Sequence, residues 1–252
     1  MSGIPRLRMF AGPNGSGKST IKSVIRPELL GVYINPDEIE KEIRERDYLD
    51  LSAFQVHTTA AEILGFFNTS ALLTRAGLLD EAASLSFSDN KLSFFAVSVN
   101  SYFASVAADF IRHQLLNAGI SFTFETVMSS ADKVQFLQKA QQRGFRTYLY
   151  YVATQDPIIN ISRVRTRVRL GGHPVPDQKV ISRYSRSLDL LLDAIRYTDR
   201  AYIFDNSGAA SIWLAEVNNG RTLTMQTDQM PAWFKQAVWD RMYSENAAPG
   251  QA

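Results

Sequence analysis

A glycine-rich loop near the start of the chain, in the stretch MFAGPNGSGKST, limits the folds open to this sequence more than any other feature. The pattern Gly-x-x-x-x-Gly-Lys-Ser is met by Gly12, Gly17, Lys18 and Ser19, after the apolar run Leu7 to Ala11. Glycines let such a loop turn its backbone N–H groups inward around a phosphate, and the following helix adds the positive end of its dipole. This order of strand, loop and helix start predicts a phosphate-binding loop, or P-loop.

Every residue of the predicted loop is a candidate to contact a nucleotide: Gly12, Pro13, Asn14, Gly15, Ser16, Gly17, Lys18, Ser19 and Thr20. In loops of this kind the lysine reaches the β- and γ-phosphates and the serine hydroxyl can bind Mg²⁺. We therefore expect ATP or GTP here, with Lys18 on the phosphates and Ser19 as a metal ligand. A glycine-rich turn that matches by chance is the alternative, and the flanking strand and helix argue against it.

Strands alternate with helices along the rest of the chain, which predicts an α/β fold with a parallel sheet covered by helices on both faces. The predicted elements are a strand ending near Ile34, a helix capped by Asn35, a strand at 120–124, a helix at about 131–143, the strands RTYLYYVA and RAYIFDNS, and a helix after Asp156. A hairpin at 218–220 and a helix near 231–243 follow. We expect one P-loop domain over residues 1–252, in which the hairpin and helix occupy about 208–244.

Composition narrows the function classes. The net charge is only +2, so no global basic field favours nucleic acid, and there is no cysteine for disulfides or thiolate metal sites. The start MSGIPRLRMF lacks the apolar core of a signal peptide, and no run reaches the roughly 18 apolar residues of a spanning helix. We expect a soluble cytoplasmic protein that contacts no membrane.

Residues 48–98 interrupt the alternation of strands and helices. The stretch FQVHTTAAEILGFFNTSALLTRAGLLDEAA is helical in its period, and we expect a helical insertion without strands of its own. Beside the carboxyl ends of the strands it would either wall a substrate pocket or merely enlarge the core.

Acidic residues at strand ends are the candidates for chemistry. Asp37 follows the second strand, where a small-molecule P-loop kinase needs a carboxylate to accept the proton of the attacking hydroxyl. Its neighbour Glu38 is a rival, and an acid in the first turn of a helix can also merely complement the helix dipole.

Glu125 ends the third strand, where an acid can hold a Mg²⁺-bound water or a substrate hydroxyl, or can simply terminate a buried strand. We predict Glu125 as a metal and substrate residue and Thr126 as a substrate residue. Asp205, at the end of the fifth strand, is the alternative acid.

Residues 163–186 concentrate positive charge, +6 within a chain of +2. The charged residues are Arg163, Arg165, Arg167, Arg169, Lys179, Arg183 and Arg186, against the single acid Asp177. On a helix, Arg163 and Arg167 share one face while Arg165 and Arg169 share nearly the opposite one. Next to a P-loop, with the joint GGHPVP, this segment predicts a mobile lid whose guanidinium groups stabilise phosphoryl transfer. A solvated basic face or a weak RNA-binding patch is the alternative.

Six stretches in this order, AGPNGSGKST, INPDEI, FETVMSS, RVRTRVRLGGHPVP, RYSRSL and FDNS, resemble the zeta-toxin-like family of bacterial P-loop kinases. The resemblance covers about residues 6–46 and 100–235. It implies an adenylate-kinase-like sheet, ATP and Mg²⁺, and phosphorylation of a sugar hydroxyl on a nucleotide sugar such as UDP-N-acetylglucosamine. It also implies that the protein is the toxin of a toxin–antitoxin pair, with an antitoxin as partner.

By the same resemblance, Asp37 matches the proton-accepting aspartate, Lys18 the phosphate-binding lysine and Glu125 an acidic active-site position. Arg163, Arg167 and Arg183 match arginines of the lid and of the helix after it.

Two departures from the family leave the acceptor open. Val127 stands where relatives often have a second threonine, and residues 48–98 have no counterpart in compact members. Another acceptor, such as the dinucleotide NAD, is compatible with the same scaffold. A P-loop protein that acts as a nucleotide-dependent switch or binding module is the alternative from another class.

Overall fold

The computed structural model describes residues 3–23, 25–172 and 174–247. The strands in this part of the chain are β1 (Arg6–Ala11), β2 (Val32–Ile34), β3 (Tyr48–Asp50), β4 (Ser86–Ser88), β5 (Lys91–Ser93), β6 (Phe122–Thr126), β7 (Arg146–Ala153), β8 (Arg200–Asp205), β9 (Ile212–Asn218) and β10 (Thr222–Met225). The α-helices are α1 (Lys18–Lys22), α2 (Pro36–Arg46), α3 (Ala60–Asn68), α4 (Ala71–Ala76), α5 (Leu79–Ala83), α6 (Ser101–Ala118), α7 (Asp132–Gln142), α8 (Pro157–Arg169), α9 (Asp177–Asp189), α10 (Leu191–Arg196), α11 (Ala232–Phe234) and α12 (Asp240–Ala247). The chain divides into two compact units, and that they form one kinase domain stays a prediction.

The first unit comprises Met1–Leu29 and Glu125–Ala252. Its strands lie in the order β10-β9-β8-β7-β1, with β1, β7 and β8 parallel and β9 and β10 antiparallel. On strands β1, β7 and β8 one face of this sheet is buried and includes Met9, Leu149 and Ile203. On that face the Tyr151 hydroxyl lies 3.0 Å from Ser187 Oγ of α9. Burial of this apolar face supplies the main stabilisation of the unit.

The second unit comprises Leu30–Phe124. It contains the parallel pair β2 and β6, a three-stranded antiparallel sheet in the order β3-β5-β4, and helices α2 to α6, of which α2 packs against α6. Asn35 caps α2, because its side-chain oxygen accepts the Asp37 N–H at 2.9 Å, and Pro36 opens the first turn as predicted.

The predicted fold class is confirmed: the protein is α/β, with mostly parallel strands flanked by helices. The predicted hairpin at 218–220 is also confirmed, since Asn219 and Gly220 have φ of 50° and 65° between antiparallel β9 and β10. Among the described helices, none is long and apolar enough to cross a membrane.

The prediction that residues 48–98 contain no strands is wrong. Helices α3 to α5 lie there, but so do β3, β4 and β5. Each of these strands has three residues, too few for a period to stand out against the helical stretch between them. Asp89 and Asn90, with φ of 49° and 59°, form the two-residue turn between β4 and β5.

Candidate active site

The P-loop of the first unit connects β1 to α1, and its glycines sit where no other residue fits. Gly12, Gly15 and Gly17 have φ of 144°, 74° and 103°. A Cβ atom on Gly12 would lie 2.0 Å from the Val152 carbonyl oxygen, and one on Gly15 would lie 2.6 Å from the Asn160 carbonyl oxygen. Both contacts are impossible, so backbone conformation and close packing each require glycine.

Lys18 lies at the start of α1 and folds over the loop. Its Nζ donates to the carbonyl oxygens of Gly12 at 2.8 Å and Pro13 at 3.1 Å. These bonds hold the ammonium group at the mouth of the loop, the position from which a P-loop lysine reaches phosphates. Ser19 and Thr20 follow on the exposed side of the first turn.

Two buried asparagines clamp the loop, and sequence reasoning did not assign either to the site. Asn160 of α8 donates from Nδ2 to the Asn14 carbonyl oxygen at 2.6 Å, while its Oδ1 accepts from the Thr154 hydroxyl. Asn206, directly after β8, donates from Nδ2 to the Ser16 carbonyl oxygen at 2.8 Å. A buried amide satisfied at both ends rigidifies the groups it joins, so the loop is preorganised.

The sequence contained part of the information needed to find Asn206. Asn206 belongs to the stretch FDNS, which carried the family resemblance, but no sequence pattern indicates what its amide contacts. The structure adds that a Cβ on Gly17 would lie 2.1 Å from Asn206 Nδ2. The position of Asn206 therefore requires glycine at residue 17.

The arginine segment forms the end of α8 and the start of α9, joined by residues 170–176, of which His173 lies outside the described residues. Arg183 is half-buried and donates from Nη1 to Asn14 Oδ1 at 3.2 Å, so α9 contacts the P-loop directly. Arg163 donates to the Gly208 carbonyl oxygen at 3.4 Å, and its Nη1 is buried without a hydrogen-bond partner among the described residues. Arg167 is exposed.

The opposite face of α8 has other contacts. Arg165 forms an ion pair with Asp177 at the start of α9, and Arg169 donates to the Thr166 hydroxyl at 3.1 Å. The two predicted pairs of arginines thus have different surroundings, as the helical period requires.

Glu125 is buried at the end of β6, with 8% of its surface exposed. The loop after it is tightly held: the Thr126 hydroxyl accepts the Met128 N–H at 3.1 Å, and Ser187 Oγ donates to the Val127 carbonyl oxygen at 2.8 Å. Met128 is buried with φ of 53°, a left-handed conformation that is rare for methionine. Strain of this kind persists where surrounding contacts fix it, often beside functional groups.

Asp205, the alternative acid, is occupied by structural contacts. Its carboxylate accepts hydrogen bonds from the Ser207 N–H at 3.0 Å, the Ser207 hydroxyl at 2.8 Å and Trp233 Nε1 at 2.7 Å. It therefore anchors the turn that presents Asn206.

Asp37 belongs to the second unit. It lies in the first turn of α2 beside Glu38, and both residues are exposed. In the first unit the structure brings together the P-loop, Asn160, Arg183 and Asn206. That Asp37 accepts the proton of the acceptor hydroxyl stays a prediction, which rests on its place after β2 and on the family resemblance.

The loop fits the phosphates of a nucleotide on its own geometry. Ser16 is fully buried and its Oγ has no hydrogen-bond partner among the described residues, although a buried hydroxyl normally has one. Three glycines leave the backbone open to an incoming group, and Lys18 adds positive charge. In the described residues no cluster of three His, Asp or Glu side chains could hold a metal by itself. Protein sites for Mg²⁺ often use few side chains together with substrate phosphates.

An uncharacterised protein of Haemophilus influenzae is 31% identical over 72 residues, which cover 29% of this chain and 51% of that protein. The chain thus spans about half the length of this curated relative.

Two solved structures of the AvrRxo1-ORF1:AvrRxo1-ORF2 complex, one with sulphate ions and one with ATP, have TM-scores of 0.53 and 0.50. They are 13% and 14% identical to this chain, cover 98% of it, and are themselves covered to 66%. These likenesses show a common fold.

The family of the chain follows from its sequence. Residues 91–218 match the family described as zeta toxin, a range that contains Glu125, the end of α8 and the stretch FDNS. The P-loop precedes this range, and its geometry agrees with the nucleotide-binding loop that the family resemblance implied. Because the match covers about half of the chain, the protein belongs to the zeta toxin family.

Proposed function

We propose that this protein is an ATP- and Mg²⁺-dependent kinase that transfers the γ-phosphate of ATP to a hydroxyl of a small molecule. The observation that carries the proposal is the contact between the P-loop and the arginine helices: Arg183 and Asn160 both bond to Asn14. The Arg183 guanidinium is thereby held beside the loop, where it can stabilise the charge that spreads over the equatorial oxygens of a transferring phosphoryl group.

The residues of the first unit divide the work of binding and charge stabilisation. The backbone N–H groups of Gly15 to Thr20 and the ammonium group of Lys18 hold the phosphates, and the Ser19 hydroxyl and Glu125 hold Mg²⁺ and its water. Arg163, Arg167 and Arg183 stabilise the transition state. ATP supplies the phosphoryl group, and Mg²⁺ neutralises negative charge on it.

Asp37 is the proposed proton acceptor for the hydroxyl of the acceptor molecule. The Asn35 cap fixes the backbone of the first turn of α2, so the Asp37 carboxylate is presented from a rigid element. Glu125 and Thr126 are the proposed contacts to the substrate.

The proposed acceptor is a nucleotide sugar, of which UDP-N-acetylglucosamine is the type that the family resemblance implies. A dinucleotide such as NAD is the second candidate, because residues 48–98 include a sheet and three helices that compact members lack. We further propose that the protein is the toxin of a toxin–antitoxin pair, acts in the cytoplasm and is inhibited by an antitoxin protein.

Mass spectrometry tests the kinase directly. The protein is incubated with ATP, Mg²⁺ and a panel of nucleotide sugars and dinucleotides, and a phosphate added to one acceptor is the expected product. Asp37→Asn should lower the transfer rate by roughly a hundredfold or more while ATP still binds, because a positioned base contributes about 10² to 10⁴. Glu38→Gln, about 100° further round the helix, is the matched control and should change the rate little.

Two outcomes would contradict the proposal. Release of ADP and free phosphate with no phosphorylated acceptor in the panel would favour a nucleotide-dependent switch. Transfer at the wild-type rate by folded, ATP-bound Asp37→Asn would exclude Asp37 as the base.

A further inference from the structure

A cavity of about 820 Å³ lies against the second face of the sheet in the first unit. Its lining consists of Arg6, Arg8, Ile21, Ile25, Arg26, Leu29, Tyr148, Tyr150, Arg200, Tyr202, Phe204, Ser211 and Trp213. None of these residues belongs to the P-loop or to the arginine helices. A parallel sheet is ordinarily covered on both faces, so an open aromatic face on β7 and β8 needs an explanation.

Strand register arranges the sheet side of the cavity in rows. Phe10, Tyr150 and Tyr202 are neighbours across β1, β7 and β8, and their rings stack with centroids 4.9 Å apart in both pairs. The Trp213 ring of β9 continues the row, 6.1 Å from Tyr202. The ring of Tyr150 is therefore covered on both faces by its neighbours, which leaves only edges and hydroxyl groups to meet an occupant.

The next row is cationic. Arg8, Tyr148 and Arg200 are neighbours across the same three strands, and the Arg8 guanidinium lies 5.2 Å from the centre of the Tyr148 ring. Arg8 is 6% exposed and forms no ion pair with any carboxylate of the described residues. Arg200 lies 3.6 Å from Glu216, which is itself not part of the lining.

A buried arginine without a carboxylate is costly, because the charge has lost water and gained no counter-ion. Four arginines and no acid line this cavity. Burial also lowers the pKa of Arg8. An anionic group placed against Arg8 would neutralise this charge.

The segment that follows the P-loop adds three apolar residues to the lining, Ile21, Ile25 and Leu29, beside Arg26. Leu29 and Trp213 are 39% and 40% exposed. Arg, Tyr and Trp provide eight of the thirteen lining residues. These are the residue types that dominate the binding energy of protein–protein interfaces.

We propose that this cavity is the docking site for an acidic peptide segment of a partner protein, which sets a carboxylate against Arg8 and Arg200 and an apolar side chain against Ile21 and Leu29. The positive lining selects an anionic partner by charge complementarity. The Tyr150 ring, covered on both faces, offers no platform on which a nucleobase could stack. The proposal is independent of the kinase activity.

Selection from a random peptide library tests the proposal. The immobilised chain, with ATP and Mg²⁺ present, is presented with phage-displayed peptides, and the enriched peptides are synthesised and measured by fluorescence anisotropy. We expect enrichment of acidic peptides that contain a large apolar residue. Their Kd should rise at least about tenfold in the double variant Arg26→Glu/Arg200→Glu, as expected for lost charge pairs at an interface.

Matched variants separate the cavity from general electrostatics. Arg75→Glu/Arg143→Glu makes the same charge change at exposed arginines outside the lining and should leave Kd within about twofold, since distant surface charges are screened. Tyr202→Phe keeps the ring row and should weaken binding only modestly. Peptide binding should also shift the emission of Trp213.

The proposal is overturned if no peptide is enriched, if enriched peptides are neutral or basic, or if the two double variants bind them equally. It is also overturned if inorganic phosphate at low millimolar concentration displaces the peptides completely, because the cavity would then be a site for free anions. A wild-type dimer in light scattering that Arg26→Glu/Arg200→Glu converts to a monomer would assign the cavity to a second copy of the chain.

Discussion

At the scale of single residues, the P-loop depends on side chains far away in sequence. Asn206 follows Ser16 by 190 positions, yet its amide bonds to the Ser16 carbonyl oxygen and excludes any Cβ at Gly17. Its Oδ1 accepts from the Ser211 hydroxyl at 2.7 Å, which fixes the orientation of the amide. This bond therefore fixes the Ser16 end of the loop.

Asn206→Leu tests that dependence, because leucine keeps the volume but cannot donate to the Ser16 carbonyl. A buried acceptor left without its partner costs about 1–3 kcal/mol, so we expect the KM for ATP to rise by roughly tenfold and the thermal midpoint to fall. Steady-state kinetics and thermal unfolding provide the two readings. Ser211→Ala, which leaves the bond to Ser16 in place, is the control, and equal KM values in both variants would contradict the assignment.

Lys18→Ala is the second prediction at this scale. The Lys18 ammonium bonds to loop carbonyls and is only half-buried, so its removal should leave the fold intact. Nucleotide turnover should fall to background, because the phosphates lose the positive charge of the lysine that contacts them. Turnover near the wild-type rate would remove the basis for the P-loop assignment.

At the scale of elements, the two faces of α8 make different contacts. Arg163 and Arg167 lie on one face, and Arg165 and Arg169 bond to Asp177 and Thr166 on the other. Asn160, one turn before Arg163, attaches the same helix to the P-loop. One helix thus carries both the arginines and a bond to the loop.

Alanine at each arginine of α8 tests this division. Arg163→Ala and Arg167→Ala should lower kcat strongly, by up to the order of a thousandfold for a single arginine that stabilises the transition state. Arg165→Ala and Arg169→Ala should change it little, because exposed ion pairs contribute about 0–1 kcal/mol. Equal small effects on kcat at all four positions would instead favour a solvated basic face.

At the scale of the whole molecule, buried tyrosines make stability sensitive to alkali. Burial is the main cause that raises the pKa of Tyr150 to about 12. The pKa of Tyr184 is also raised to about 12, mainly by burial and next by the negative charge of Asp156. Burial also raises the pKa of Tyr151. In the unfolded chain these groups ionise near pH 10. The folded state disfavours the ionised form of these tyrosines. Their contribution to the free energy of unfolding is therefore complete below about pH 10 and is lost as the pH rises from about 10 towards 12.

Urea unfolding at a series of pH values between about 8 and 11.5 measures this loss. We expect the midpoint to be constant at first and to fall above about pH 10. Tyr150→Phe should make the fall shallower, whereas Tyr243→Phe, at an exposed position, should leave it unchanged. A midpoint that stays level to about pH 11.5 would show that these hydroxyls ionise as readily in the folded state.

Local patterns in the sequence determined the α/β class, the P-loop, the Asn35 cap and the hairpin at 218–220, because each depends on residues that are neighbours along the chain. Glycine at φ above zero, an asparagine ahead of proline and an alternating strand all carry their reason within a few positions. The three short strands within 48–98 were missed because their periods are too short to count. The tertiary structure alone decided that Asn160 and Asn206 clamp the loop, that Asp205 is occupied by Ser207 and Trp233, and that arginines and tyrosines meet across strands around one cavity. These contacts join residues up to 190 positions apart, and strand order and register, which no local pattern contains, bring them together.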